Sequence, residues 1–427
     1  MPDVHRTYEI RCPIHGFITL NDWEWSIISQ PAFQRLRRIR QLAWTDYVYP
    51  GATHNRFEHS LGVMHCATLL YDAIVRNSED VLTAELSYDE AGLKRGRQLV
   101  RLAALLHDLG HPPFSHPSEE LFLKRDNGER YRHEDYSVAA IRSELRGAIE
   151  DHPLNGANYG FHVDDIAAFL EGSAKAKQSV FWRPLISGQM DADRMDYLLR
   201  DSYHAGVQYG RFDLRRLIST IRAIRYGGRA PRLGITEGGL HAAEALVLAR
   251  YFMFTQVYFH KTRVAYDVHL RGALKEMLPG GHFPRPVNGE LQEFLKWDDW
   301  RVVGLLSEGK GGEHGERLMT RNHYRLIHAT LEVPDEKNLQ QLKTIREKLG
   351  GLVAAEEAAS NSWYKTGPTD IPVVDNLDEK SIKPLSDYSS VVKNLQTNNQ
   401  VLLYSRPEDV PKARRIVEEV IENDRSA

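Results

Sequence analysis

An apolar run, Leu102-Ala103-Ala104-Leu105-Leu106, leads straight into His107-Asp108 and then into Gly110 and Pro112-Pro113. The run reads as a helix over 98–109 that the glycine and the proline pair forbid from continuing. A chain folded around such a helix carries an imidazole and a carboxylate into its interior. A lone buried histidine is ordinarily a satisfied core residue. An aspartate directly after it, at an apolar helix terminus, buries a charge without compensation unless a cation is present.

Helical periodicity recurs on both sides of this segment. Residues 56–75 place Leu61, Val63, Met64, Ala67, Leu70 and Ile74 on their apolar side. Residues 32–42, opened by Pro31, read as a helix in which Arg35, Arg37, Arg38 and Arg40 make a basic, solvated face. Further helices are expected at 133–146, 190–202, 213–225 and 239–278. The succession predicts a mainly α protein with an all-helical core over 1–278. Residues 279–330 read as a connecting segment whose glycine-rich stretch 309–315 is a flexible loop. No Gly-Lys-Ser/Thr ends that stretch, so it is not a phosphate-cradling loop. Residues 331–427 read as a small α+β region with an assembly or regulatory role. Strands are expected there at 371–374 and 401–404, and a helix at 410–423.

At 42% hydrophobic residues in 427, the chain can bury a sizeable core, which excludes global disorder. A net charge of -3 requires any basic site to be local. Arg183 near Trp182 is too sparse a pairing for a nucleic-acid groove, so nucleic acid is not indicated. The two cysteines, Cys12 and Cys66, fit a reducing compartment. The polar start Met1 to Ile10 does not read as a secretory signal, and no apolar run approaches the ~20 residues of a membrane helix. A soluble cytoplasmic protein with no membrane partner is expected.

Two further metal-ligand candidates stand in polar clusters: His59 in Asn55-Arg56-Phe57-Glu58-His59-Ser60, and Asp193 in Met190-Asp191-Ala192-Asp193-Arg194. Two imidazoles and two carboxylates suit Mn, Fe, Zn or Ni and leave positions open for water and a phosphate oxygen. The stiff loop from His111 to His116 and the pair His133-Glu134 offer imidazoles suited to proton transfer. Asp193, Tyr197 and Asp201 are spaced to share one helix face, while Asp196 and Arg200 read as a plain helix salt bridge.

These segments, with Pro13-Ile14-His15-Gly16 and Phe33 to Leu42, resemble the HD superfamily of metal-dependent phosphohydrolases. Within it they are similar to the deoxynucleoside-triphosphate triphosphohydrolases, over roughly the first two-thirds of the chain. The resemblance implies a metal site of His59, His107, Asp108 and Asp193. It implies that His111 and His133 face the α-phosphate and the reacting water, that His116 protonates the leaving oxygen, and that Glu119 orients His116; Glu134 joins this catalytic group. Glu119 stands where the family has Asp, and Arg194 where it usually has Lys. Arg56, Arg194, Tyr197 and Arg250 would hold the phosphates. Asp201 would bind the 3′-hydroxyl, with Gln41, Leu42 and Tyr258 around the sugar. A tyrosine there would leave no room for a 2′-hydroxyl. The reaction implied is release of deoxynucleoside and inorganic triphosphate, with Mg²⁺ accompanying the dNTP.

The resemblance also implies an activating nucleotide held by Gln34, Arg37 and Arg216, and a homo-oligomer, a tetramer being favoured. Ser29 and Gln256 replace an Asp and an Arg of the vertebrate enzyme, so guanine-specific activation does not carry over. No sterile-alpha-motif module precedes Pro13, and partners recruited through one are not expected. Rival readings are an HD phosphohydrolase acting on alarmones or nucleoside monophosphates, and a non-catalytic nucleotide sensor or single-strand nucleic-acid binder.

Overall fold

The structure, a computed structural model, describes residues 6–225, 230–378 and 380–426, without the side chains of 174–178, 425 and 426. Its centre is the Glu90–Leu106 helix, in which every residue from Gln98 to Leu106 is buried. A helix apolar nearly all round has to be surrounded. The Arg56–Asn77 helix packs along it, and the Ala192–Ala205 helix packs on Arg56–Asn77 in turn. Gly62 permits that second approach, since a Cβ there would lie 1.8 Å from Asp196 Oδ1 and 2.5 Å from Arg200 Nη2. Gly110 does the same one turn past the central helix. Its missing Cβ makes room for the His133 carbonyl and the Ser137 N–H, each 2.3 Å from where it would be. The start of the His133–Ser143 helix is thereby seated against the His107 turn.

The core is predominantly helical, as expected, and the smaller region beyond it contains β-strands. A three-stranded sheet places Val401–Ser405 between Arg325–Ala329 and Ala355–Ala358, both antiparallel to it. The Glu336–Leu349 and Val410–Ser426 helices cover it, with Ile327, Leu342, Ile345, Leu403 and Val417 in a small core of their own. The expected strands at 371–374 and 401–404 are present as Pro372–Val374 and Val401–Ser405. Pro372–Val374 pairs in parallel with Arg232–Thr236, which ties the late chain to the helical core.

Several segments differ from their sequence reading. Residues 32–42 form only a Pro31–Gln34 turn of α-helix and an Arg35–Arg38 turn of 3₁₀-helix. Helix stops there because the Arg40 N–H goes to Asp299 Oδ2 and Arg40 bridges to Asn55. Arg35 is not solvated but 1% exposed, donating to the Trp297 carbonyl through Nε and Nη2. The helix expected over 213–225 ends at Thr220, and the strand Ile221–Ile224, bounded by two β-branched isoleucines, follows it. The span 239–278 is two helices, Leu240–Met253 and Lys261–Met277, separated by a π-helical turn, Phe254–Tyr258, and by His260. Part of the expected 309–315 loop is helix, Gly312–Met319. The first described residues form a hairpin, Thr7–Cys12 with Gly16–Asn21, that the sequence reading did not anticipate. Among the described residues, no helix is long and apolar enough to cross a membrane.

Candidate metal centre and cleft

Asn55 caps the Arg56–Asn77 helix in a reciprocal capping box with Glu58, which puts His59 in the first turn. His59 is fully buried, and its Nδ1 donates to Asp196 Oδ2 at 2.8 Å. In the neutral, metal-binding form that bond leaves Nε2 as the free nitrogen, and Nε2 faces Asp193 Oδ1 at 3.0 Å and Asp108 Oδ2 at 3.4 Å. His107 is arranged alike. Its Nδ1 donates to the Ala104 carbonyl at 2.7 Å, and Nε2 faces Asp108 Oδ1 at 3.2 Å and Asp193 Oδ1 at 3.8 Å. Neither Nε2 has a hydrogen-bond partner, although both are buried. Buried polar atoms are almost always satisfied. Two convergent imidazole lone pairs beside two carboxylates are the donor set a divalent cation takes, so these residues fit one.

Asp196 anchors this arrangement from behind. Besides His59 it accepts from Arg200 Nε and Nη2, both at 2.8 Å, and faces His15 Nε2 at 2.7 Å. The helix salt bridge read from the sequence is therefore present, and it also orients a ring. A carboxylate behind a ligating histidine fixes its tautomer and raises its basicity. Burial opposes charging of His59, but Asp193, Asp196 and Asp108 outweigh it and push the imidazole up to about 10 when no cation competes. Burial likewise opposes ionisation of Asp108, yet Arg56, His107 and His111 hold its carboxyl well below the usual range. Arg56 is paired directly with Asp108.

A second cluster adjoins the first. Glu119 Oε1 lies 2.7 Å from His116 Nδ1, 3.1 Å from His133 Nδ1 and 3.7 Å from His111 Nδ1. The His111 and His133 rings stack with centroids 3.8 Å apart. Their environments pull their proton affinities in opposite directions. Burial, Arg56 and His133 drive His111 well below the ordinary histidine value. For His133, burial is outweighed by Glu119, Glu134 and Asp108, which lift it to about 9. Neighbouring titratable groups driven apart in this way suit an acid and a base at one site. Glu134 sits mostly in solvent, 3.5 Å from His133 Nδ1, and the His116 side chain is 66% exposed.

Both clusters open onto one cleft of about 250 Å³, lined among others by Gln41, Arg56, His107, Asp108, His116, His133, Glu134, Asp193, Arg194 and Tyr197. Its cationic wall includes Arg183, which the sequence reading set aside. Arg194 Nη1 is held by Asp191 Oδ2 at 2.5 Å. Leu42, Asp201, Arg250 and Tyr258 do not line this cleft. Leu42 packs in the core. Asp201 takes the Tyr258 hydroxyl on Oδ2 and His54 Nε2 on Oδ1, both at 2.7 Å. Tyr258 closes the π-helical turn and meets Tyr197 edge-on, with ring centroids 6.1 Å apart. Arg250 donates to the Trp363 carbonyl at 2.9 Å. Gln34 and Arg37 meet, Arg37 Nε donating to Gln34 Oε1 at 2.8 Å with its guanidinium over Phe57. Arg216 stands on a different element, donating to the Gly238 carbonyl.

Residues 56–201 match the HD domain, and residues 212–364 match the HD associated region. The chain is 39% identical over 301 residues to the Bacillus subtilis (strain 168) protein YwfO, covering 67% of this chain and 63% of that one. It is 32% identical over 269 residues to the deoxynucleoside triphosphate triphosphohydrolase SAMHD1 homolog of Dictyostelium discoideum, 62% of this chain and 48% of the relative. Against deoxynucleoside triphosphate triphosphohydrolase SAMHD1 of Mus musculus it is 33% identical over 231 residues, 49% of this chain and 33% of the relative. The chain thus spans less than two thirds of the length of each of these relatives. A hypothetical protein from Aquifex aeolicus, solved at 2.0 Å resolution, superposes with a TM-score of 0.78 at 29% identity, over 96% of this chain and 100% of that one.

Proposed function

The chain is an HD-domain protein of the metal-dependent phosphohydrolases, related to the SAMHD1 family, and from that premise we propose that it hydrolyses deoxynucleoside triphosphates to deoxynucleoside and inorganic triphosphate. One observation carries the reading: His107, Asp108 and Asp193 of the quartet, His116 and His133 of the trio, and the arginines 56, 183 and 194 line the same cleft, with His59 and His111 buried against them. A site with only the quartet supports many phosphohydrolase reactions. A triphosphate needs the additional cations.

In this reading His59, His107, Asp108 and Asp193 hold a divalent ion, Mn, Fe, Zn or Ni, and the dNTP arrives with Mg²⁺. When bound, the resident ion supplies Lewis acidity toward the α-phosphate and a lower pKa for a coordinated water. The protein's own groups do the rest. Arg56, Arg194 and Tyr197 bind the phosphates from the cleft wall, and Arg250 adds positive charge from beside Tyr197. His111 and His133 orient the α-phosphate and the attacking water. Water oxygen bonds to the α-phosphorus and yields its proton to the neutral His111 imidazole, the bond from that phosphorus to the 5′-oxygen breaks, and His116 Nε2 delivers the proton the leaving oxygen needs. Glu119 accepts from His116 Nδ1–H and so orients the ring, which has to be doubly protonated for Nε2 to carry the proton it delivers. Gln41 meets the sugar from the cleft wall, and Tyr258, bonded to Asp201 and edge-on against Tyr197, shapes that wall against a 2′-hydroxyl, with Leu42 packed in the core. An activating nucleotide at Gln34, Arg37 and Arg216, coupled to assembly of a homotetramer, belongs to the same reading.

The test is to incubate the protein with Mn²⁺, Mg²⁺ and mixed dNTPs and to look for inorganic triphosphate by anion exchange. His107→Ala and Asp108→Ala should each abolish its release. Turnover of an alarmone or a nucleoside monophosphate in place of dNTPs would favour the rival HD chemistry. Ribonucleotides cleaved as fast as deoxynucleotides would remove the role given to Tyr258.

A further inference from the structure

Two consecutive residues with side chains, Phe114 at φ +58° and Ser115 at φ +64°, carry the backbone from Pro112-Pro113 to His116. Residues with a Cβ avoid this region, so surrounding contacts have to impose it. Those contacts form a closed ring. The Phe114 N–H donates to Asp299 Oδ1 and the Arg40 N–H donates to Asp299 Oδ2, both at 2.7 Å. Ser115 Oγ donates to the Arg40 carbonyl and accepts from Arg56 Nε, again at 2.7 Å each. The Phe114 ring stacks on Trp44 with centroids 4.9 Å apart.

Asp299 is 2% exposed and is the first residue of the Asp299–Ser307 helix. It does not cap that helix. Asp298 does so, accepting from the Arg301 N–H at 2.9 Å. Both Asp299 oxygens are therefore spent on other segments of the chain, and the helix N-terminus favours the negative charge. Burial pushes the carboxyl up to about 7 against the pull of the two N–H donors, so the fold keeps an unfavourable group here. The residue lies in the HD associated region, outside the HD domain itself.

We propose that Asp299 is a positioning residue for His116: its carboxylate ties the left-handed Phe114-Ser115 turn to Arg40 and so holds the imidazole that protonates the leaving group. The proposal rests on the reading of His116 given above. It assigns the HD associated region a part in the chemistry of the HD domain.

The experiment uses the full, metal-loaded protein with Asp299→Ala, Asp299→Asn and His116→Ala. Two substrates are compared: a dNTP, whose alkoxide leaving group needs a proton, and bis(p-nitrophenyl) phosphate, whose phenolate does not. Asp299→Ala should lower kcat on the dNTP by about 10–100-fold with KM within about twofold. On the aryl ester its rate should stay within about threefold of wild type. The double variant should be no slower on the dNTP than His116→Ala alone. Exchange of the Phe114 amide hydrogen should quicken at least about tenfold in both Asp299 variants. Equal losses on the two substrates, additive losses in the double variant, or unchanged Phe114 exchange would each overturn the proposal. If Asp299→Ala loses its metal or its cooperative unfolding, Asp299→Asn, which retains one acceptor, decides the matter. Absence of triphosphate release by wild type would count against the dNTP reading alone, and Phe114 exchange would then judge Asp299.

Discussion

Replacing Asp196 by Asn tests how the candidate metal centre is held together, because the change keeps the shape and removes the charge. The carboxylate makes four contacts to three side chains: Arg200 twice at 2.8 Å, His59 Nδ1 at 2.8 Å and His15 Nε2 at 2.7 Å. An amide keeps one oxygen and presents an N–H where the other acceptor stood. If that N–H faces His59 Nδ1, the ring has to move its proton to Nε2, the atom turned toward Asp193 and Asp108. A protonated Nε2 cannot bind a metal ion. Loss of such a supporting carboxylate costs 10–100-fold in metal affinity, about 1.4–2.7 kcal/mol. Arg200, fully buried, is left with Glu58 at 3.3 Å as its remaining carboxylate, and stranding a buried charge costs about 3–5 kcal/mol of stability. Asp196→Asn should therefore bind Mn²⁺ at least tenfold more weakly in titration against a competing chelator. It should also unfold at lower urea. A variant that unfolds like wild type and binds Mn²⁺ within about twofold of it would refute the account of Asp196 as the anchor of His59.

Three further outcomes follow from the same geometry. His59 is raised to about 10 in the metal-free protein, above the ordinary ~6.5. The stability it contributes is thus full below about pH 6.5 and is lost as pH rises through about 10. Metal uptake near pH 7.5 should release at least one proton, measurable by calorimetry in buffers of differing ionisation enthalpy, and a release of zero contradicts the shift. Tyr258→Ala should cut the preference for deoxy- over ribonucleotides at least about tenfold, while Tyr258→Phe, which loses only the bond to Asp201, should keep most of it. Competition kinetics with matched nucleotide pairs reads both, and equal selectivity in the two variants removes the steric argument. Glu24→Gln should destabilise the protein by about 3–5 kcal/mol, because fully buried Glu24 takes Arg101 Nε and Nη2 at 2.6 Å each. Urea unfolding checks this, and a shift under about 1 kcal/mol would show that the pair is not the anchor of the N-terminal layer.

The helical core was legible because helix formation is local: apolar residues three and four apart mark a buried face, and Gly110 with Pro112-Pro113 marks its end. His107 and Asp108 announced a cation for an equally local reason, a charge at an apolar helix terminus. Other features answer to partners distant in the chain. Arg35 read as a solvated cation, yet the Trp297 carbonyl buries it. Asp196 read as half of a plain salt bridge, since its i,i+4 partner is visible in sequence and His15 and His59 are not. The strand pairing of Arg232–Thr236 with Pro372–Val374 and the hold of Asp299 on Phe114 had no local signal at all. The unanticipated helix stop at Arg38 has the same origin, because Asp299 and Asn55 compete for backbone groups that a helix needs.

The residue string alone determined that the chain is mainly helical and which side chains are chemically able to hold a divalent ion. Convergence of His59, His107, Asp108 and Asp193, and the choice of tautomer on each ring, were decided by packing. Gly62 lets the Ala192–Ala205 helix come close enough for Asp196 to reach His59, and Gly110 seats His133 beside His111. Ligand chemistry belongs to residue types, whereas orientation belongs to contacts that exist only after distant segments meet. For that reason the apolar helix ending in His107-Asp108 announces a metal ion, and only the folded chain shows which groups share a cleft with it.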